Sequence, residues 1–238
     1  MGVGAKIGDW RALVLPARDA LLDAIYPPGD VPDPAEMVFL DEPCCARCGL
    51  PFEAAMLEAE SCGACAARPP RYDRARAALA YGPGTDRHIL AFKHGGRTPH
   101  LDFFAAQMLR AGRRLLADAD ALVPVPLHPS RLRRRRFNQA ALLARRVGRL
   151  SGVAVDARCL VRTRATPSQG GASAAGRRRN VRAAFASTDP PARVVLVDDV
   201  MTTGATLEAC ALALRRAGAE RVDALALARV VRPRDPTA

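Results

Sequence analysis

The segment Val194-Val195-Leu196-Val197-Asp198-Asp199-Val200-Met201-Thr202-Thr203-Gly204-Ala205-Thr206-Leu207 holds the residues of this chain best suited to chemistry. Its apolar start reads as a buried strand that delivers two adjacent carboxylates to its carboxyl end. A turn of small hydroxyl residues and glycine follows and opens a helix. Backbone N–H groups at a helix start, joined by threonine hydroxyls, suit a phosphate dianion, because first-turn donors have no carbonyl of their own helix and the helix dipole is positive there. The expected phosphate contacts are Thr202, Thr203, Gly204, Ala205 and Thr206. Gly204 lets the backbone approach closely, while Asp198 and Asp199 can accept hydrogen bonds from vicinal ribose hydroxyls or share a magnesium ion.

A second set of reactive side chains lies upstream. Cys45-x-x-Cys48 and Cys62-x-x-Cys65 are two CxxC pairs with thirteen residues between them, and Gly49 and Gly63 stand beside them. Two residues between thiols let a tight turn aim both sulfurs at one ion, and two such turns complete a tetrahedral four-sulfur site for Zn2+. Cys44 is an alternative to Cys45, with a less usual spacing to Cys48. A closed four-sulfur site leaves no position for a substrate water, so the expected role is structural or for partner contact. Cys159 and Cys210 read as core residues, and His88, His94, His100 and His128 are not spaced as a metal set.

These groups need elements to position them. Residues 9 to 26 carry Leu13, Val14, Leu21, Leu22 and Ile25 at helical spacing before Pro27-Pro28, which predicts an N-terminal helix within residues 1–28. From Gly29 to Pro70 the chain is rich in Pro, Cys, Gly and acidic residues, and residues 40–70 read as a small zinc-ribbon module whose loss would spare the rest. Residues 71–238 then alternate short apolar runs with longer amphipathic ones. Strands are expected at Ala75–Tyr81, Ala121–Val125, Arg193–Val197 and Val222–Val230, and helices at Thr85–Lys93, His100–Leu116, Asn138–Leu150 and Gly204–Ala217. Strand, helix, strand in that order predicts an α/β fold with a parallel sheet, ligands gathering at the carboxyl ends of its strands. Thr163 to Arg179 fits neither period and reads as a mobile functional loop.

The acid pair and the turn after it resemble the signature of type I phosphoribosyltransferases. The wider resemblance is to the ComF family, a double zinc ribbon joined to a phosphoribosyltransferase domain, and it runs from the cysteine pairs to the final strand. It rests also on Ala80-Tyr81-Gly82, Lys93 with Gly95-Gly96, and Val123-Pro124-Val125-Pro126-Leu127-His128-Pro129. Further segments are Phe137-Asn138-Gln139-Ala140, Thr166-Pro167-Ser168-Gln169 and Arg177-Arg178-Arg179-Asn180-Val181. The resemblance implies that Asp198 and Asp199 hold the ribose of phosphoribosyl diphosphate with Mg2+, and that Thr202 to Thr206 hold its 5-phosphate. It implies a pyrophosphate loop at Pro126, Leu127 and His128, with charge from Arg131 and Arg135. It also implies a catalytic hood in which Gln169, Arg177 and Arg178 close over the ligand. Two departures stand out: Arg136 replaces a glycine of the family pattern, and Gly170 to Gly176 make the hood richer in glycine and alanine.

The chain has 238 residues, a formal net charge of +12 and only two lysines, Lys6 and Lys93, so its positive charge is almost all arginine. Such a surface suits a polyanionic partner or is simply solvated. Aromatic residues make up 5%, which counts against base stacking as a main source of affinity. No stretch approaches the ~18 apolar residues of a membrane span, and the start lacks the basic and apolar regions of an export signal. The expectation is a cytoplasmic protein that uses its seven cysteines for metal or as free thiols. The family resemblance points to DNA uptake in natural competence, with single-stranded DNA or a competence helicase as candidate partners. It leaves open an active phosphoribosyltransferase with an unidentified acceptor and a metabolite-sensing regulator.

Overall fold

The computed structural model describes residues 32–52, 60–95, 98–129, 132, 137–164 and 183–231. The expected N-terminal helix lies outside them, within the first of two units, Met1–Asp33. In the second unit the elements are α1 (Gly63–Ala67), β1 (Ala75–Ala80), α2 (Thr85–Gly95), α3 (Thr98–Leu116), β2 (Ala121–Pro124), α4 (Gln139–Ser151) and β3 (Ala154–Val155). They continue with β4 (Leu160–Arg162), β5 (Phe185–Ser187), β6 (Arg193–Met201), α5 (Ala205–Arg216) and β7 (Arg221–Arg229). The eight expected elements are present, shifted by a few residues at most ends.

The main sheet has the order β1-β7-β6-β2-β3 and every pair in it is parallel. Parallel strands cannot be joined by hairpins, so helices cross over and cover both faces. Apolar residues on β6 alternate accordingly. Val195 and Val197 pack with Phe104 of α3 and Leu143 of α4, whereas Val194 and Leu196 pack with Leu207 and Leu214 of α5. Phe92 and Phe104 meet edge to face at 5.8 Å and tie α2 to α3. The free edge of β1 is covered by Val38–Leu40, which exchanges backbone hydrogen bonds with Ala78 and Ala80 at 2.9 and 2.8 Å. Strands β4 and β5 form a separate antiparallel pair.

Local chemistry sets the helix ends that matter to the site. Asn138 has extended backbone and its side chain accepts from the Ala140 N–H at 3.0 Å, capping α4. Its Nδ2 donates to the Val125 carbonyl at 3.0 Å, so the same residue fixes the chain just past β2. At the opposite end of the sheet Asp120 accepts from the Arg193 backbone and guanidinium, and that hydrogen bonding holds its carboxyl below the usual range. The tie is complete at neutral pH and is lost as pH falls through that lowered pKa.

Leu196, on the strand that carries the acid pair, is fully buried against α5. Leu196→Ala should lower the free energy of unfolding by about 2–5 kcal/mol, read from urea denaturation. A change under about 1 kcal/mol would mean that this face of β6 is not packed as described.

Candidate functional site

The chain leaves β2 through α4 towards β3 at one edge of the sheet, and leaves β6 through α5 towards β7 in the opposite direction. The helices therefore lie on opposite faces, and a crevice opens between β2 and β6 at their carboxyl ends. Pairing between these strands reaches Pro124 with Val197, and the Val125 N–H still donates to the Val197 carbonyl at 2.9 Å. Beyond that point the two chains part. Pro126, Leu127 and His128, all half-buried, stand on one side of the opening, and Asp198 and Asp199 stand on the other.

Strand β6 runs farther than its apolar residues suggest. Its pairing with β7 continues through Asp198 with Ala226 to Met201 with Arg229, so both acids sit inside the strand. Val200 packs on the α3–α4 side and Met201 on the α5 side, the reverse of the alternation set by Val194–Val197. The acids occupy this change of phase. Asp198 Oδ1 accepts from the Asp199 N–H at 2.9 Å, and Asp199 Oδ1 accepts from the Val200 N–H at 2.7 Å, which orients both carboxylates before any ligand arrives.

Thr202, Thr203 and Gly204 then turn into α5, with Ala205 and Thr206 in its first turn. Gly204 has φ +74°, a left-handed conformation that disfavours any side chain. A Cβ there would also lie 3.2 Å from both the Met201 Cε and the Tyr72 hydroxyl. The Thr203 Oγ1 is buried and has no hydrogen-bond partner among the described residues. A buried hydroxyl without a partner beside first-turn N–H groups is a vacancy in hydrogen bonding that an anion can satisfy. Two carboxylates and a phosphate turn at one crevice can hold a phosphorylated sugar. Adjacent carboxylates are also the oxygen donors that Mg2+ takes when it is shared with a phosphate.

Arg131, Arg135, Arg136, Gln169, Arg177 and Arg178 lie outside the described residues. The base of the expected hood is visible. The Thr163 N–H donates to the Ala184 carbonyl at 2.9 Å and Arg162 stacks on Phe185 at 5.3 Å, so β4 and β5 clasp the two ends of that segment against α5.

The cysteines gather on the α5 side of the sheet. Four sulfurs bound to one ion at about 2.3 Å stand about 3.8 Å apart. Here Cys48 Sγ and Cys62 Sγ are 3.7 Å apart, and the sulfurs of Cys45, Cys48, Cys62 and Cys65 all lie within 4.8 Å of one another. Cys45 rather than Cys44 completes the set. Burial opposes ionisation of Cys45, but N–H groups of Cys48 and Cys62 donate to its sulfur and draw its pKa down to about 7. Burial pushes the Cys48 thiol up to about 11 and raises the Cys65 thiol, with the nearby Cys48 adding to the latter. Thiols packed this way ionise together only around a cation, and the arrangement fits structural zinc. Cys159 and Cys210 are buried core residues, as their pattern predicts.

Two residues near the site escaped the sequence reading. Tyr72 is buried with its hydroxyl against Gly204, and Arg229 is buried at the end of β7 beside Met201. Tyr72 carries no motif, but Arg229 closes the apolar run Ala224–Ala228 of β7 and is a legible oddity, because arginine is rarely buried without a partner.

A parallel sheet of this order, with an acid pair and a hydroxyl-rich turn at the switch between its strands, defines a phosphoribosyltransferase-type domain, and residues 183–237 match the phosphoribosyl transferase domain family. Over a longer span the chain is 34% identical to DNA utilization protein YhgH of Escherichia coli, covering 80% of this chain and 86% of that protein. It is 34% identical to the protein of the same name from Salmonella typhimurium, over 79% and 84% of the two chains. To Competence protein F of Haemophilus influenzae it is 33% identical, over 79% and 85%. The chain belongs to the ComF family. No helix among the described residues is long and apolar enough to cross a membrane.

Two outcomes follow from this geometry. Gly204→Ala should lower stability by about 1–2 kcal/mol from its left-handed backbone alone, seen as a lower urea midpoint. An unchanged midpoint would show that the turn does not need positive φ. Loading the metal-free protein with Zn2+ at pH 7 should release at least two protons, since the raised thiols of Cys48 and Cys65 are protonated until the cation arrives. The release should shrink as pH rises towards 11. A pH indicator in weak buffer reads it, and zinc uptake without proton release would contradict the buried thiol set.

Proposed function

We propose that the crevice between β2 and β6 binds phosphoribosyl diphosphate or a related 5-phosphoribosyl compound, and that the protein uses this site in the uptake or use of DNA. The observation that carries the ligand reading is the pairing of Asp198 and Asp199 with the Thr202–Thr206 turn at the switch point, where Thr203 Oγ1 is buried without a partner. The turn takes the 5-phosphate, and the two carboxylates take the ribose hydroxyls. Pro126, Leu127 and His128, held through the Asn138 contact to Val125, face the diphosphate end. Mg2+ bound with the ligand would neutralise diphosphate charge beside Asp198 and Asp199. Arg131, Arg135, Gln169, Arg177 and Arg178 complete the reading as the charge and the hood over that end.

The DNA role is drawn from the relatives, two of them named for DNA utilization and one for competence. Single-stranded DNA or a competence helicase, met in the cytoplasm, is the partner class proposed. Arg110, Arg114, Arg146, Arg193 and Arg215 are each paired with a carboxylate. A DNA contact that depends on charge would therefore draw on arginines beyond these.

Isothermal calorimetry with phosphoribosyl diphosphate, with and without Mg2+, tests the site. Saturable, Mg2+-dependent binding is expected, with at least a tenfold loss in the variant carrying Asp198→Asn and Asp199→Asn. Equal binding by that variant, or none by the parent protein, would overturn the reading. Release of pyrophosphate with a base or amine acceptor would add a transferase activity to it, and silence with every acceptor would leave a binding module.

A further inference from the structure

The four-cysteine centre and the phosphate turn share a floor. Gly49, with φ +68°, brings the first knuckle so close to β1 that a Cβ on it would lie 2.5 Å from the Ala75 carbonyl oxygen. The Ala75 N–H donates to the Arg47 carbonyl at 2.6 Å, and Arg76 donates to the Ala46 carbonyl at 3.1 Å. The cysteines therefore belong to the same packed core as Leu196 and Leu207.

Two side chains span the distance from this centre to the turn. Arg229 is 8% exposed, and its Nη1 donates to the Cys48 carbonyl while lying 3.9 Å from the Met201 sulfur. Met201 is the last residue of β6 before Thr202, and its carbonyl accepts from the Val230 N–H at 3.0 Å. No carboxylate among the described residues pairs with Arg229, and its Nε has no partner there. A buried guanidinium needs a counter-charge. Four thiolates around one divalent ion carry a net charge of about −2, which supplies it. Tyr72, 4% exposed, is the second bridge, lying in the same core as Cys48 and Cys65 with its hydroxyl close under Gly204.

We propose that Arg229 and Tyr72 are positioning residues that couple the metal-loaded cysteine centre to the phosphate turn, so that metal occupancy and phosphate binding are thermodynamically linked. The inference rests on the ligand reading given above, and it departs from the expectation of a ribbon whose loss spares that site. Linkage is reciprocal: if the metal favours the binding geometry of the turn, a ligand on the turn must hold the metal more tightly by the same factor.

The test uses the zinc-loaded full chain and follows zinc transfer to a chromophoric chelator, with and without phosphoribosyl diphosphate in excess Mg2+. Calorimetry on the same preparations records whether that compound binds. Binding should slow zinc release roughly fivefold or more in the parent protein. The protection should vanish in Arg229→Met, persist in part in Arg229→Lys, and be absent in the double Asp198→Asn, Asp199→Asn variant, which also controls for chelation by the ligand. If Arg229→Met does not load zinc, Tyr72→Phe replaces it, and reduced protection is again expected. Binding by calorimetry with unchanged zinc release would overturn the coupling while leaving the ligand site standing. Absence of binding would overturn the ligand site and the coupling with it. Equal protection in Arg229→Met and the parent would remove Arg229 from the linkage and overturn its assigned role.

Discussion

Two parallel strands stop pairing where their chains diverge, and the structure depends on the place where β2 and β6 part company. Their hydrogen bonding ends at Val197 because α4 carries one chain away on one face and α5 carries the other away on the opposite face. The last turn of each strand is left with backbone and side chains facing an opening instead of a neighbour. Asp198, Asp199 and the hydroxyl turn stand in that opening. Pairing with β7 continues beside them, so the half-buried acids are held on one flank by a sheet. A loop could place the same groups there, but not with carboxylates already oriented by the N–H groups of Asp199 and Val200.

Charge is organised differently at the two ends of the sheet. At the amino ends, Asp223 is buried between Arg74 and Arg221, and Asp73 meets Arg215. Burial pushes the Asp223 carboxyl up, against the pull of Arg74. Those groups are matched within the fold and leave nothing for a ligand. At the carboxyl ends the acids of β6 lie beside a turn rich in donors, and the one deeply buried arginine nearby turns towards Cys48, away from any described carboxylate. A ligand carrying both hydroxyls and phosphate complements that separation of acceptors from donors.

The parts of this arrangement legible in the sequence are those whose residues carry their own periodicity or motif. Val194–Val197 announces a buried strand, and the amphipathic spacing of α3 and α4 is clear over many residues. The CxxC pairs announce their cluster without help from the fold. Strands β3, β4 and β5 have two or three residues each, too few for a period to register, and tertiary pairing alone makes them strands. The end of β6 is hidden for a different reason. Polar residues after Val197 read as a loop, yet the neighbouring β7 is apolar from Ala224 to Ala228 and carries them along in its register. Tyr72 was invisible as a site residue and Arg229 stood out only as a charge after an apolar run, since their meaning lies in what they touch.

The closeness of the cysteine centre to the turn has a cause in composition. The face of the sheet beneath it is lined by Ala75, Ala77, Ala224 and Ala226. Alanine side chains bury little apolar area, and a floor built from them alone would hold the overlying turn weakly. The knuckle approaches so closely that Gly49 lies against the Ala75 backbone. Small residues on the strands and a cross-linked layer of cysteines are therefore complementary choices. Four sulfurs gathered on one ion would provide rigidity where the sheet surface provides room. A turn that keeps Gly204 in a left-handed conformation gains more from a rigid floor than from a broad one.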